Sequence, residues 1–148
     1  THGVRFFVDW IFMATTPHKD LAPAALAVRD KAYAPYSNFA VGAAVLGKDG
    51  NIYAGCNVEN AAYPEGVCAE ANAIAAMIAG GCQDIAQVFI VKKGAGLIAP
   101  CGGCRQKINE FADADTPIFV YGQNQEIQSY TLGTLLPLAF GRQNLDKK

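Results

Sequence analysis

Short apolar runs that alternate with helical segments are the feature of this sequence that most constrains its fold. Residues 88–91 and 117–121 are rich in β-branched and aromatic residues and predict strands. Residues 69–79 and 102–112 carry apolar side chains at helical spacing, and the first of these segments has one apolar face formed by Ile74, Met77 and Ile78. With the weaker segments included, the order is helix, two strands, helix, strand, helix, two strands and helix. The sequence therefore predicts an α/β protein with a three-layer α-β-α architecture, in which helices cover both faces of a mixed sheet.

Turn-forming residues set the limits of the N-terminal elements. Apolar residues between Leu21 and Ala32 recur at helical spacing, and Pro35 prevents this helix from continuing. Residues 40–46 and 51–55 predict two strands, and the Asp-Gly pair in the link between them indicates a hairpin. The remaining segments are a predicted loop over 56–67, a strand over 126–130 and a short helix over 132–136.

Length and charge narrow the class of protein. A chain of 148 residues with 51% apolar and 17% charged residues can bury a core, which excludes a disordered protein. A net charge of -1 lacks the basic excess of a polynucleotide binder. The apolar run over 6–14 is interrupted by Asp9 and is shorter than the roughly 20 residues of a membrane span. We expect a cytoplasmic protein with no membrane or nucleic acid polymer as partner. We also expect a single domain over 13–148, with residues 1–12 an expression remnant or upstream translation rather than a functional appendage.

Two cysteine motifs, each at the start of a predicted helix, are the strongest chemical signal. They are Cys68–Glu70 (CAE) and Pro100–Cys104 (PCGGC). Without an export signal the thiols should stay reduced, and unpaired cysteines then indicate metal binding or catalysis. Cys101 and Cys104 are three residues apart, so one helical turn can present both sulfurs to one ion, and Cys68 can add a third ligand. Three protein ligands and a water are typical of catalytic zinc.

Glu70 lies two residues after a candidate ligand. Since zinc lowers the pKa of its bound water, a nearby carboxylate can accept that proton and deliver it to a substrate. Two other interpretations of the cysteines stay open here: a redox dithiol, and a structural zinc site with Cys56 or Cys82 as the fourth ligand. Both of these residues are more typical of packed cysteines. Neither His2 nor His18 lies in an ordered-looking segment, and we expect neither to be a ligand.

The two motifs together resemble the zinc signature of the cytidine and deoxycytidylate deaminases, in which C-A-E is followed some thirty residues later by P-C-x-x-C. The chain is most similar to the small homotetrameric cytidine deaminases, over roughly residues 20–145. The segments that carry the resemblance lie at 36–44, 55–60, 62–64, 100–106 and 135–141.

The resemblance implies a reaction and a set of site residues. The implied reaction is the hydrolytic deamination of cytidine and deoxycytidine to uridine and deoxyuridine with zinc-activated water, in pyrimidine salvage. Zinc, one ion per chain, would be bound by Cys68, Cys101 and Cys104, and Glu70 would move protons. The implied substrate contacts are Phe39 in the nucleoside pocket, the Ala69 backbone N–H on the pyrimidine carbonyl, Asn57 and Glu59 on the ribose 3′-hydroxyl, and Ala61, Tyr63 and Phe140 in a neighbouring subunit's active site.

Several of these assignments have simpler alternatives. Asn57 and Glu59 fit a hydroxyl, which both donates and accepts, but they could also be a turn-forming amide and a solvated carboxylate. Phe140 could pack in the core. A related deaminase of the blasticidin S type shares both zinc motifs but lacks the N-x-E-N segment found here at 57–60. A structural-zinc protein without catalysis would have no use for Glu70.

The residues around the metal ligands include one feature that is shared with a branch of the family and one that differs from it. The first ligand is Cys rather than His, which is similar to the free-nucleoside branch of the family. Members of the tetrameric group commonly carry Arg directly after the catalytic Glu, whereas this chain has Ala71. Arg105 matches another family arginine that donates hydrogen bonds to the sulfurs. We therefore expect Arg105 and the two helix N-termini to offset the charge of the thiolates.

Overall fold

The predicted order of helices and strands is confirmed by a computed structural model that describes residues 16–94, 96, 98–121 and 126–145. The helices are α1 (Leu21–Arg29), α2 (Ala69–Ala79), α3 (Gly102–Phe111) and the short α4 (Leu132–Leu135). The strands are β1 (Val41–Gly47), β2 (Ile52–Cys56), β3 (Ile85–Lys92), β4 (Pro117–Tyr121) and β5 (Ile127–Thr131). Two 3₁₀ turns occupy Tyr63–Glu65 and Arg142–Asn144.

The sheet topology brings two helix N-termini to the same edge. The strand order is β2-β1-β3-β4-β5, with β3 and β4 parallel and the other neighbours antiparallel. Since β1 is antiparallel to both β2 and β3, these two strands run in the same direction. Helix α2 follows β2 and helix α3 follows β3, and therefore both helices start at the carboxyl ends of strands that point the same way.

The strands bury alternate residues against two different layers of helices, as the two-residue period of a strand requires. One face of the sheet packs against α2, α3 and α4, and its buried residues include Ala43, Val45, Val88, Ile90 and Ile118. The other face packs against α1, and its buried residues include Ala44, Phe89, Val91 and Phe119. The predicted three-layer α/β architecture is therefore confirmed.

Two glycines allow the helices to approach the sheet closely. A Cβ on Gly55 of β2 would lie 2.3 Å from the backbone nitrogen of Ala73 in α2. A Cβ on Gly42 of β1 would lie 2.1 Å from the carbonyl oxygen of Ala25 in α1. Since no other residue fits at these separations, α2 is held directly on the strand that leads into Asn57.

The structure differs from the predictions in a few places. The apolar face predicted for α2 included Ile78, which is exposed, because the buried stripe consists of Ala69, Ala73, Ile74 and Met77. Strand β3 begins at Ile85, three residues before the predicted start. Residues 1–12, including His2, lie outside the described residues. None of the helices in the described part of the chain is long and apolar enough to cross a membrane.

Candidate metal centre and active site

Three cysteine sulfurs converge where α2 and α3 begin. Cys68 is the N-cap residue of α2, Cys101 is the N-cap residue of α3, and Cys104 lies in the first turn of α3. Their sulfur atoms all lie within 4.8 Å of one another. In a tetrahedral site with Zn–S bonds of about 2.3 Å the sulfurs are about 3.8 Å apart, so this three-cysteine group fits zinc.

The ligand set is open rather than closed. Among the described residues the group contains these three cysteines alone, and neither Cys56 nor Cys82 joins it. Cys82 is buried and Cys56 half-buried, as predicted for packed cysteines. Within the group Cys104 is buried whereas Cys68 and Cys101 are exposed. Three ligands with one accessible side are typical of catalytic rather than structural zinc.

The thiols of the group have different proton affinities. Burial raises the pKa of the Cys104 thiol above its usual range, and partial burial raises the pKa of Cys68. The backbone N–H of Cys104 lowers the pKa of Cys101. A bound cation favours thiolates, so metal binding at this group is expected to release protons.

Glu70 places a carboxylate against the sulfurs. It lies in the first turn of α2, and its residue is only 5% exposed. The Cys104 thiol donates a hydrogen bond to Glu70 Oε2 over 3.5 Å. A buried carboxylate is costly to maintain without a compensating partner, which indicates that this one has a role beyond folding.

A cavity of about 210 Å³ opens beside this group. Its lining consists of Phe39, Val41, Asn57, Cys68, Ala69, Glu70, Ile98, Ala99 and Cys101. The structure thus brings six of the twelve predicted site residues into the lining of one cavity. Apolar walls with a few convergent polar groups are characteristic of small-molecule sites.

Asn57 anchors the wall of this cavity. Its Oδ1 accepts a hydrogen bond from the backbone N–H of Val41 at 2.9 Å, and its Nδ2 donates to the carbonyl of Phe39 at 2.8 Å. Both ends of the amide are therefore engaged with the chain that leads into β1. One Nδ2 hydrogen is left over for another acceptor.

Glu59 lies beside the cavity rather than in its lining. Its Oε1 accepts hydrogen bonds from the backbone N–H groups of Tyr36 and Ser37, each at 3.0 Å, and its Oε2 accepts one from the Ser37 hydroxyl. These hydrogen bonds, that of the hydroxyl first, lower the pKa of Glu59 below its usual value. Glu59 also lines a neighbouring cavity of about 360 Å³, together with Tyr36, Ser37, Asn60, Tyr63 and Gly66.

Backbone pairing connects the segment of Asn57 and Glu59 to the metal ligands. Val58 and Val67 exchange two backbone hydrogen bonds of 2.9 Å, and Val67 directly precedes Cys68. Asn72 of α2 adds a hydrogen bond of 2.7 Å from its Nδ2 to the carbonyl of Cys56. Sequence reasoning missed Asn72 as a positioning residue; a polar side chain in an alanine-rich helix was the available signal.

Three of the predicted contacts lie on the surface, away from the cavity lining. Tyr63 is 77% and Phe140 is 60% exposed, and Ala61 is also exposed. The alternative that Phe140 packs in the core is therefore wrong. Its backbone is nevertheless fixed, because Gln106 and Asn109 of α3 donate hydrogen bonds to its carbonyl at 2.9 and 3.1 Å.

Arg105 has different partners from those expected. Its Nε donates to the carbonyl of Pro100 at 2.7 Å, and its Nη1 donates to the carbonyl of Leu135 at 2.8 Å. The expected hydrogen bonds from Arg105 to the cysteine sulfurs are absent among the described residues. The guanidinium instead connects the carbonyl before Cys101 to the end of α4, where the last carbonyls lack intrahelical partners.

Comparison with known proteins places this site in a family. Residues 15–120 match the model of the cytidine and deoxycytidylate deaminase zinc-binding region. The chain is 41% identical over 117 residues to a cytidine deaminase of Sporosarcina psychrophila, a match that covers 79% of this chain and 86% of that protein. It is 38% identical over 122 residues to a cytidine deaminase of Halalkalibacterium halodurans, with 82% and 92% covered.

Solved structures agree with the sequence matches. The crystal structure of a cytidine deaminase from Burkholderia pseudomallei superposes with a TM-score of 0.74 at 39% identity, covering 84% of this chain and all of that one. The crystal structure of the Mycobacterium tuberculosis cytidine deaminase gives a TM-score of 0.72 at 37% identity, with 82% and 94% covered. The chain belongs to the cytidine and deoxycytidylate deaminase family.

Proposed function

We propose that this protein catalyses the hydrolytic deamination of cytidine and deoxycytidine to uridine and deoxyuridine. The observation that carries this conclusion is the buried carboxylate of Glu70, 3.5 Å from the Cys104 sulfur in a three-cysteine group beside a cavity. Relatives at 41% and 38% identity are named cytidine deaminases, which supports the choice of substrate.

Cys68, Cys101 and Cys104 are the residues that would hold one zinc ion per chain. When bound, zinc supplies the Lewis acidity that makes water a nucleophile near neutral pH. The chain contributes an open ligand set, two helix N-termini and a neighbouring proton acceptor. These features support a site in which the nucleophile and the substrate would meet in the same small cavity.

Glu70 serves as the proton shuttle. It accepts a proton from water and passes it to N3 of the pyrimidine while the oxygen bonds to C4. It then takes the second proton from the new C4 hydroxyl and delivers it to the amine, so that the C4–N bond breaks and the C4 carbonyl forms. One water is consumed and one ammonia is released, so atoms and charge balance. Because the Glu70 side chain is buried, the protons it carries are shielded from exchange with bulk solvent.

The cavity walls orient the nucleoside. Ala69 is the first residue of α2, so its backbone N–H has no intrahelical acceptor and can donate to the pyrimidine carbonyl. Phe39 lines the cavity, and its ring would contact the pyrimidine. Asn57 offers its remaining Nδ2 hydrogen and Glu59 its remaining lone pair to the ribose 3′-hydroxyl.

The proposal also covers the oligomeric state and the cellular role of the enzyme. The active enzyme is a homotetramer, in which exposed Ala61, Tyr63 and Phe140 reach the site of a neighbouring subunit. Tyr63 and Phe140 are aromatic residues exposed on the single chain, and such residues are typical of surfaces that become buried between subunits. Residues 13–148 form one deaminase domain, and the reaction belongs to pyrimidine salvage in the cytoplasm.

The test is deamination of cytidine by the wild type and by Glu70→Gln, with zinc content measured in each. The reaction is followed by the ultraviolet change of the pyrimidine and by ammonia release. Glu126→Gln, which makes the same change at an exposed glutamate before β5, is the matched control. We expect turnover in the wild type and control, and its loss in a Glu70→Gln protein that still holds one zinc.

Two results would contradict the proposal. A zinc-loaded wild type that leaves cytidine unchanged would mean another substrate, and aminopyrimidine nucleosides of the blasticidin S type would be tested next. A fully active Glu70→Gln protein would remove the proton shuttle and revive a structural role for the metal.

A further inference from the structure

We propose that Ser37 is a positioning residue that holds the Glu59 carboxylate toward the sugar and links it to the backbone of Phe39. The inference rests on the proposed function, since it concerns how the nucleoside is held. It adds to that function a residue that touches neither the metal ligands nor the pyrimidine. It also explains how the sugar side and the ring side of the cavity are held in a fixed relation.

The Ser37 hydroxyl acts as a hydrogen-bond donor and as an acceptor. It donates to Oε2 of Glu59 and accepts from the backbone N–H of Phe39 at 3.1 Å. The Ser37 backbone N–H donates to Oε1 of the same carboxylate at 3.0 Å. One side chain thus connects the candidate sugar-binding acid with the aromatic wall of the cavity.

The segment around Ser37 is held by hydrogen bonds and surface contacts rather than by burial in the core. Tyr36, Ser37 and Phe39 are exposed, so this turn does not rest on the core. Asn38, between Ser37 and Phe39, has a φ of 55°, a left-handed conformation that asparagine tolerates better than most residues. Hydrogen bonds therefore define the shape of the turn. Those from Tyr36 and Ser37 connect it to Glu59, and that from Asn57 Nδ2 to the Phe39 carbonyl connects it to the cavity wall.

The unused hydrogen-bonding capacity of the two polar residues matches a single hydroxyl. A carboxylate has about four acceptor positions, and the Glu59 carboxylate accepts three hydrogen bonds, which leaves one position. Asn57 has one Nδ2 hydrogen left. One donor and one acceptor are what a sugar hydroxyl requires. Without the Ser37 hydroxyl, Oε2 would have a second vacant position and no partner to fix its direction.

The experiment compares cytidine with 3′-deoxycytidine, which lacks the hydroxyl in question. It measures kcat/KM of both nucleosides with the zinc-loaded wild type, Ser37→Ala and Ser37→Thr. Ser129→Ala is the matched control, because this exposed serine on β5 lies outside the site. The ratio of the two kcat/KM values is taken within one preparation, so the fraction of folded enzyme cancels.

We expect Ser37→Ala to lower kcat/KM for cytidine about 10- to 100-fold, the range expected for the loss of a hydrogen bond to a charged group. With 3′-deoxycytidine the loss should be under about threefold, because Glu59 then has no sugar hydroxyl to meet. Ser37→Thr keeps a hydroxyl and should retain most of the wild-type ratio. Ser129→Ala should retain all of it.

Equal losses on the two substrates would overturn the inference, because Ser37 would then act through folding or through Phe39 alone. An unchanged kcat/KM for cytidine in Ser37→Ala would overturn it as well. These outcomes are distinct from failure of the proposed function, in which the wild type itself leaves cytidine unchanged and the inference falls with it.

Discussion

Replacement of Arg105 by lysine separates charge from geometry at the metal centre. The wild-type guanidinium connects two backbone carbonyls, that of Pro100 before the ligand Cys101 and that of Leu135 at the end of α4. Lysine keeps the positive charge but has one ammonium group in place of a planar fork. It can therefore retain one of these two hydrogen bonds and not both.

The magnitude follows from the number of bonds lost. A hydrogen bond to a charged group contributes about 1.5–3 kcal/mol, so Arg105→Lys should lower the free energy of unfolding of the metal-free protein by roughly that amount. Arg105→Gln loses the charge as well and should be at least as destabilised. Because the carbonyl of Pro100 adjoins a ligand, zinc affinity should fall about 10-fold or more in both variants, as when other supports of metal ligands are removed.

The assay combines urea unfolding of the metal-free proteins with competition for zinc by a chelator. Arg142→Lys is the matched control, because its exposed side chain forms a 3.8 Å ion pair with Glu110 at the surface, and its replacement should change neither quantity. The reasoning would be refuted if Arg105→Lys behaved like the wild type while Arg105→Gln lost zinc. That result would mean that the charge of Arg105, and not its link between carbonyls, supports the site.

Three further predictions concern packing, pH and the metal. Gly55→Ala should cost about 1–3 kcal/mol of stability in urea unfolding, because its Cβ would lie 2.3 Å from Ala73 N, whereas Gly102→Ala, whose Cβ meets open space, should cost nothing. The lowered pKa of Glu59 means that its ionised form favours the folded state above its usual pKa, and that this contribution is lost as pH falls through the lowered value. The KM for cytidine is measured as pH falls, with Glu59→Gln as the control that has no carboxylate to titrate. It should begin to rise at a lower pH in the wild type than in Ser37→Ala. A chelator should abolish turnover and lower the melting temperature, and added zinc should restore both, since a ligand that binds only the folded state stabilises it by about 4 kcal/mol at 1,000 times its Kd.

The helices that begin at the two metal motifs could be predicted because their signals are local. Helix α2 has the predicted limits, Ala69 and Ala79, since apolar periodicity and the following Gly80-Gly81 define it. The error at Ile78 has a physical cause. Small residues at Ala69 and Ala73 let the helix lie directly on β2, so the buried stripe is centred on the small residues and Ile78 falls at its edge.

The contacts that shape the site could not be predicted because they join distant parts of the chain. Ser37 and Glu59 are 22 residues apart, and Arg105 and Leu135 are 30 apart. The first contact depends on the parallel bridge between Tyr33 and Val58, and the second on where α4 packs against α3. Residue types alone suggested a sugar-binding acid and a sulfur-binding arginine. Neither suggestion identifies the backbone groups that these side chains also hold.

Because Arg105 donates to backbone carbonyls, the negative charge of the metal centre must be offset by other groups. Three thiolates and a zinc ion carry one net negative charge. Ala71 has no charge, and the described hydrogen bonds of the Arg105 side chain go to backbone carbonyls rather than to the sulfurs. The N-termini of α2 and α3 remain, and each carries the equivalent of about half a positive charge. Cys68 and Cys101 occupy the N-cap positions of these helices, and Cys104 lies in the first turn of α3. Together the two termini offset about one negative charge without a side-chain cation. The sheet topology that starts both helices at one edge is therefore part of the electrostatics of the site.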